Sequence, residues 1–219
     1  MSQQSLIQQL PLRQNIVQDI FDVWENKLHS TIHIKDIEDL DYKTICYIRH
    51  KFSPILHYLE YGNVLEWLHN GIRSYYAAII LFTLFSRCIY HNTRHIYKND
   101  YKIFLFMEMG LQLYTITCSD TQLNNSDSFP KNYIILLPFQ LLEEILYQRQ
   151  GRRIIYNFLI HEKNIIYKQL LRKVLYYQKE RIKVLELFKR FPIRNQVLNR
   201  EPTITEIDYL DEQEFLYLK

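Results

Sequence analysis

An all-helical fold is what this sequence predicts, and three features carry the prediction. The 219 residues include only 4 glycines and 6 prolines, so few tight turns are encoded. Apolar residues recur at helical spacing through most of the chain. No stretch alternates apolar and polar residues with the period of two that a half-buried strand needs. Hydrophobic residues make up 47% and charged residues 23%, enough apolar surface to build a core without metal or disulfide. One domain over residues 1–219 is expected, in about 9–11 helices of ordinary length.

The elements follow in order. Ile16, Val17, Ile20, Phe21, Val23, Trp24 and Leu28 form a helical stripe over residues 15–28. A second helix is expected from Ile37 to His50. Ser53-Pro54 then reads as an N-cap followed by proline at the first helical position, opening another. Gly62-Asn63 stops that helix, and Asn63 caps a short one holding Leu65 and Trp67. Ser74 caps an apolar helix to Tyr90. Its most apolar run, Tyr75 to Phe85, falls short of the roughly 20 residues a membrane span needs, so it reads as a buried helix. Asn99-Asp100 opens or continues a further apolar stretch through Met109.

The clearest loop covers 118–132, rich in Ser, Asp, Asn and Thr and closed by Pro130. It divides the domain into two lobes, about 1–117 and 131–219. Beyond it, helices are expected over Tyr133–Gln150, about Arg153–Tyr177 and onward through Phe191, where Pro192 ends the last. Thr203 and Glu206 make a capping box for a terminal helix to about Leu218.

Three cysteines, Cys46, Cys88 and Cys118, are odd in number and widely spaced, which argues against a disulfide framework and a zinc knuckle. Met1 to Ser5 lacks the basic-then-apolar pattern of a secretory leader, and the expected setting is the reducing cytoplasm. Net charge is +3. Lys and Arg dominate from Arg149 to Arg200, and acids dominate after it, so the two stretches are able to neutralise each other.

A family likeness emerges near the end of the chain. Arg190-Phe191-Pro192-Ile193-Arg194-Asn195, then Leu198-Asn199-Arg200 and Thr203 to Glu206, resemble the G-R-F-P-H-R-N…L-G-R…T-x-E-E signature of the domain-of-unknown-function 924 family. Leu84 to Tyr90 with Thr93, Tyr97 and Asp100 resembles that family's D-Q-F-P-R-N-x-Y-R-G-T…F-x-x-D. Pro138-Phe139…Glu143…Gln148 resembles P-F-x-H-S-E…Q, and Asp22-Val23-Trp24 resembles D-F-W. The likeness implies an all-helical fold of the tetratricopeptide-like, helical-repeat class, with no activity attached. Matched family positions retained here are Arg87, Asp100, Glu143, Gln148, Arg190, Arg194, Asn195 and Arg200. Family polar positions are replaced by Thr83, Cys88, Leu141, Leu142, Arg181 and Ile193, three of them in place of histidine. Proton transfer most often uses histidine, so if the family is enzymatic this member is expected to have lost the chemistry and kept the scaffold, with Glu143 and Asp100 the remaining candidate acids or bases.

Two uses of the retained set compete. Guanidinium groups make bidentate bonds to phosphate or carboxylate, which suits a small anionic ligand. The same residues also suit an internal salt-bridge network, and that reading is favoured. No cofactor and no metal are expected. The pairs His29/His33 and His91/His95 have the i, i+4 spacing of zinc ligands but lack the companion Glu, and read as surface residues. Cys88 on the apolar helix reads as a core thiol. No Walker loop, nucleophile elbow or dinucleotide fingerprint occurs, and four glycines would hardly build one. The basic 152–189 stretch interleaves Tyr156, Tyr167, Tyr176 and Tyr177, as a nucleic-acid face would. Ile166, Leu170, Val174 and Tyr177 follow helical spacing, however, which assigns the tyrosines largely to packing and makes nucleic acid the third reading. A non-catalytic, protein-binding helical scaffold is the leading expectation.

Overall fold

Helix formation follows the apolar spacing. A computed structural model describes residues 13–28, 40–63, 67, 71–91, 93–117 and 131–217, and among them every regular element is helical. The chain divides into two compact units: residues 1–91 with 95–141, and residues 142–219 with 92–94. The 118–132 segment read as a lobe boundary lies, up to residue 130, outside the described residues, as do Asn92, His29, His33, Leu65 and Cys118.

In the first unit α1 is Arg13–Asn26 and α2 is Tyr42–Tyr58. Asp41 caps α2, its carboxylate accepting from the Thr44 N–H at 2.9 Å. The break expected at Ser53-Pro54 does not occur, and α2 runs through Pro54. The Ser53 hydroxyl donates to the Arg49 carbonyl at 2.5 Å. The carbonyl that loses its partner to proline belongs to His50, on the exposed side where water reaches it. A π-turn, Leu59–Asn63, follows and kinks at Gly62, whose φ of 131° is a conformation that L side chains rarely adopt.

The apolar helix begins at Gly71 rather than Ser74. Its parts are α3 (Ile72–Ile80), a π-turn over Leu81–Phe85, and α4 (Ser86–Ile89). Ser74 sits inside it, buried. This continuous 72–89 helix is long and apolar enough to cross a membrane, yet 78% of it is buried within the protein, as a core helix would be. Around it pack α1, α2, α5 (Asp100–Thr117) and α6 (Leu136–Phe139). Rings lock the contacts: Phe52 against Phe85 at 4.7 Å and Phe82 against Phe106 at 5.2 Å. Arg49 closes α4 by donating to the carbonyl oxygens of Cys88, Ile89 and His91, groups that a helix end leaves unpaired.

The expected helix over Tyr133–Gln150 is broken instead. A 3₁₀ turn at Lys131–Ile135 leads into α6, and an irregular Leu142–Glu144 precedes α7 (Ile145–His161). The helix expected over Arg153–Tyr177 is likewise interrupted. Asn164 turns the chain, its side chain accepting from the Ile166 and Tyr167 N–H groups and starting α8 (Ile165–Phe188). The two helices pair through Ile154 and Ile155 of α7 and Leu171, Val174, Ile182 and Leu185 of α8. A 3₁₀ turn, Pro192–Arg194, and α9 (Ile204–Tyr217) complete the second unit.

Candidate functional site

The second unit gathers six of the retained residues. The non-helical link before α7 places Glu143, and the loop between α8 and α9 places Arg190, Arg194, Asn195 and Arg200. Lys189 ends α8 in the left-handed conformation, φ 62°, which turns the chain so that the next residues face back. Arg200 then grips Glu143 with both Nη atoms, at 3.1 and 2.7 Å. The Phe191 N–H donates to the same carboxylate at 3.0 Å, and Arg194 Nη1 stands 4.0 Å away, its guanidinium over the Phe191 ring. Burial pushes the Glu143 carboxyl up. The Arg200 bonds, the Phe191 N–H and the charges of Arg194 and Arg200 outweigh that, and the group lies below its ordinary value of 4.5.

Arg190 makes a second fork, Nε and Nη2 to the Glu206 carboxylate at 2.6 and 2.7 Å, with a further bond to the Glu201 carbonyl. Glu206 simultaneously accepts from the Thr203 N–H at 2.8 Å, and its own N–H donates to the Thr203 hydroxyl at 3.3 Å. This is the capping box read from the sequence, recruited by an arginine. Arg190 bonding holds the Glu206 carboxyl down to about 2; burial opposes this, and Thr203 and the nearby Asn195 amide assist. Asn195 is 3% exposed, and neither polar atom of its amide makes a hydrogen bond of ordinary geometry. Gln148 is fully buried on α7. It donates to the Leu142 carbonyl at 2.6 Å and accepts from Gln178 of α8 at 2.6 Å.

Arg87 and Asp100 belong to the first unit and pair with each other at 2.6 Å. Arg87 also donates to the Ile96 carbonyl and lies over the Tyr97 ring. Thr83 spends its hydroxyl on the Ile79 carbonyl at 2.6 Å. Burial pushes the Cys88 thiol up to about 12, so it stays protonated at neutral pH. Among the described residues no three of His, Cys, Asp and Glu converge as a metal site would require.

Sequence reading missed a polar cluster in the first unit. Glu60, on the π-turn after α2, is 9% exposed and accepts from Tyr90 Oη at 2.8 and 2.9 Å, Lys98 Nζ at 2.8 Å and Asn99 Nδ2 at 2.7 Å. Asn99 also donates to Ser86 Oγ, and Lys102 donates to the Glu60 backbone carbonyl. Burial pushes the Glu60 carboxyl up, but the donors from Lys98, Asn99 and Tyr90 bring it below its ordinary value. Burial lowers Lys102. The available signal was weak: a charged residue closing an apolar helix before Gly62, and Lys98-Asn99 ahead of the α5 start.

The tyrosines of the basic stretch are not all accounted for by packing. Tyr156 is 57% exposed and Tyr176 is 60% exposed, because the inward row of α8 is Leu171, Val174, Leu175, Gln178, Ile182 and Leu185. Ile166, placed on the inner row by its spacing, is 67% exposed.

The pattern described as "Bacterial protein of unknown function (DUF924)" matches residues 20–214. A solved structure of a protein of unknown function from Agrobacterium tumefaciens superposes with a TM-score of 0.69 at 23% identity, over 90% of this chain and 98% of that one. The likeness extends to the fold. No curated protein matches.

Proposed function

We propose, for a chain that belongs to the DUF924 family of bacterial proteins of unknown function, the role of a non-catalytic, tetratricopeptide-like protein-binding module in the cytoplasm. One observation carries the reading: the arginines and carboxylates that a site would need are committed to each other. Arg200 is forked onto Glu143, Arg190 onto Glu206, and Arg87 is paired with Asp100. A carboxylate held below its ordinary value by two arginines carries no proton at neutral pH and is a poor general acid. The exposed side chains of α7 and α8 are of another kind. Leu146, Tyr156 and Ile160 of α7, and Tyr176 and Leu187 of α8, are all more than half exposed, on helices that also carry Arg149, Arg152, Arg153, Arg172 and Lys179. Tyrosine, arginine and large aliphatic side chains together are the composition of interface cores. The basic rim selects an acidic, amphipathic helical segment of a partner protein.

A small anionic ligand is the second reading. An open depression of about 360 Å³ lies against Leu187, Phe188, Arg190, Thr203, Thr205 and Glu206. Its volume suits a metabolite, but the carboxylate of Glu206 already occupies Arg190. Nucleic acid is the third reading; on the 152–189 face Glu180 and Glu186 pair with Lys183 and Arg149 and reduce the field.

The test sets two measurements side by side. A photocrosslinker at position 156 should trap a partner that the Ile160→Glu variant loses while melting like the parent, since exposed substitutions shift stability by about 0.5 kcal/mol or less. A thermal-shift screen against phosphorylated metabolites, carboxylates and nucleotides should find nothing. A ligand that stabilises the protein but not Arg194→Ala would overturn the scaffold reading in favour of an anion site.

A further inference from the structure

We propose that Glu60, Asn99, Tyr90 and Tyr61 form a binding site for the primary ammonium group of an aliphatic amine, and that the chain's own Lys98 fills it in the state described. An ammonium group offers three N–H donors and a full positive charge, and needs a carboxylate, further acceptors and aromatic faces. The first unit assembles all three. Glu60 supplies the carboxylate, with its side chain 3% exposed. The Tyr61 and Tyr90 rings lie 5.8 and 5.5 Å from the Lys98 ammonium, within cation–π range. Asn99 supplies the acceptor. Its Nδ2 is spent on Glu60 and Ser86, while Oδ1 is buried with no hydrogen-bond partner in a side chain 1% exposed. An orphaned buried acceptor is costly, and here it belongs to the amide already bonded to the carboxylate.

Lys98 is the replaceable member of this group. It sits in the 93–99 turn rather than on a helix, and its side chain is 40% exposed, whereas Glu60 and Asn99 are buried. Its ammonium uses the carboxylate at 2.8 Å and both rings, yet leaves Asn99 Oδ1 unpaired. A guest amine arriving from solvent can place one N–H on Glu60 and a second on Asn99 while its alkyl chain runs out past Tyr61, which is 84% exposed. Tyr90 donates its hydroxyl to both Glu60 oxygens and so fixes the carboxylate in place for either occupant. The turn lysine therefore acts as an internal competitor.

The experiment removes the competitor and supplies the guest. The Lys98→Ala variant is titrated with n-butylammonium and, in parallel, with Nα-acetyl-lysine amide, by calorimetry and thermal shift. Both should bind the variant and raise its Tm, and bind the parent more weakly because Lys98 competes. Preference for the second probe identifies a peptide lysine as the source; equal binding identifies a free amine. Adding Glu60→Gln should weaken binding by about tenfold or more, the scale of a lost charged hydrogen bond. Adding Tyr61→Ala should weaken it about two- to fivefold without moving the Tm of the free variant, since Tyr61 is exposed and contributes only the ring. Tetramethylammonium, which has no N–H, should bind about tenfold more weakly than n-butylammonium. Lys98→Met keeps the aliphatic stem and replaces Lys98→Ala if that variant folds poorly. Absence of saturable binding by either amine to a folded Lys98 variant overturns the site, as does equal affinity for tetramethylammonium.

Discussion

Replacing Glu143 with alanine tests whether the Arg network holds the second unit together. The carboxylate receives two bonds from Arg200 and one from the Phe191 N–H, with Arg194 at 4.0 Å. Its removal strands a guanidinium 9% exposed and another 31% exposed, together with a backbone donor. Removing one member of a buried pair costs about 3–5 kcal/mol, and the partial exposure of Arg200 sets the expectation near the lower end, about 3 kcal/mol. At about 2–4 °C per kcal/mol for a chain of this size, Tm should fall by about 6–12 °C. Glu143→Gln keeps an acceptor and should lose about half as much. Because two compact units can melt apart, the decisive readout is hydrogen exchange across residues 186–200 alongside calorimetry. A double-mutant cycle with Arg200→Met should return a coupling of about 1–3 kcal/mol. A Tm change below about 2 °C, or no coupling, would refute the structural role and leave the arginines available to a ligand.

Acid should unfold the protein in a defined window. Glu60, Glu143 and Glu206 all ionise below their ordinary value of 4.5 when folded, so their stabilisation is complete above that value and is lost as pH falls, Glu206 persisting to about 2; a urea series from pH 6 downward should show it, and Glu206→Gln should flatten the lower part. Gln178→Met should cost about 1–3 kcal/mol despite its similar size, because it strands the buried Gln148 Oε1, and Gln148→Met in the same chain should recover part of that loss in the denaturation midpoint. Thr203→Ala removes the hydroxyl acceptor for the Glu206 N–H and should cost about 1 kcal/mol, measured by the same assay.

Helix identity was legible wherever periodicity and burial coincide. The α1 stripe, the buried helix around Tyr75–Phe85, the opening of α5 at Asp100 and the Thr203–Glu206 capping box all follow from side-chain spacing or from a local hydrogen bond. Breaks were read less well, because a break is decided by competition between bonds. Pro54 looked like a helix start, yet the tertiary contacts of Phe52, Ile55 and Leu56 bury that stretch and keep it helical. The helix expected over Arg153–Tyr177 ran straight through Asn164, yet its side chain satisfies two N–H groups and divides α7 from α8.

The retained polar residues were legible through the family pattern, but their pairing was not. Arg87 and Asp100, 13 residues apart, meet across a turn. Arg200 and Glu143, 57 apart, meet where the left-handed Lys189 turns the chain after α8 and the non-helical Leu142–Glu144 link precedes α7. The Glu60 cluster was invisible for the same reason: its members lie at positions 60, 86, 90, 98, 99 and 102, and nothing in their order announces that a π-turn will aim Glu60 inward. By itself the sequence determined an all-helical chain, its principal apolar faces and its family, because those are properties of spacing and composition. Only the tertiary structure decided which charge answers which and which tyrosines face outward, because burial and distance are set by how helices far apart in sequence pack.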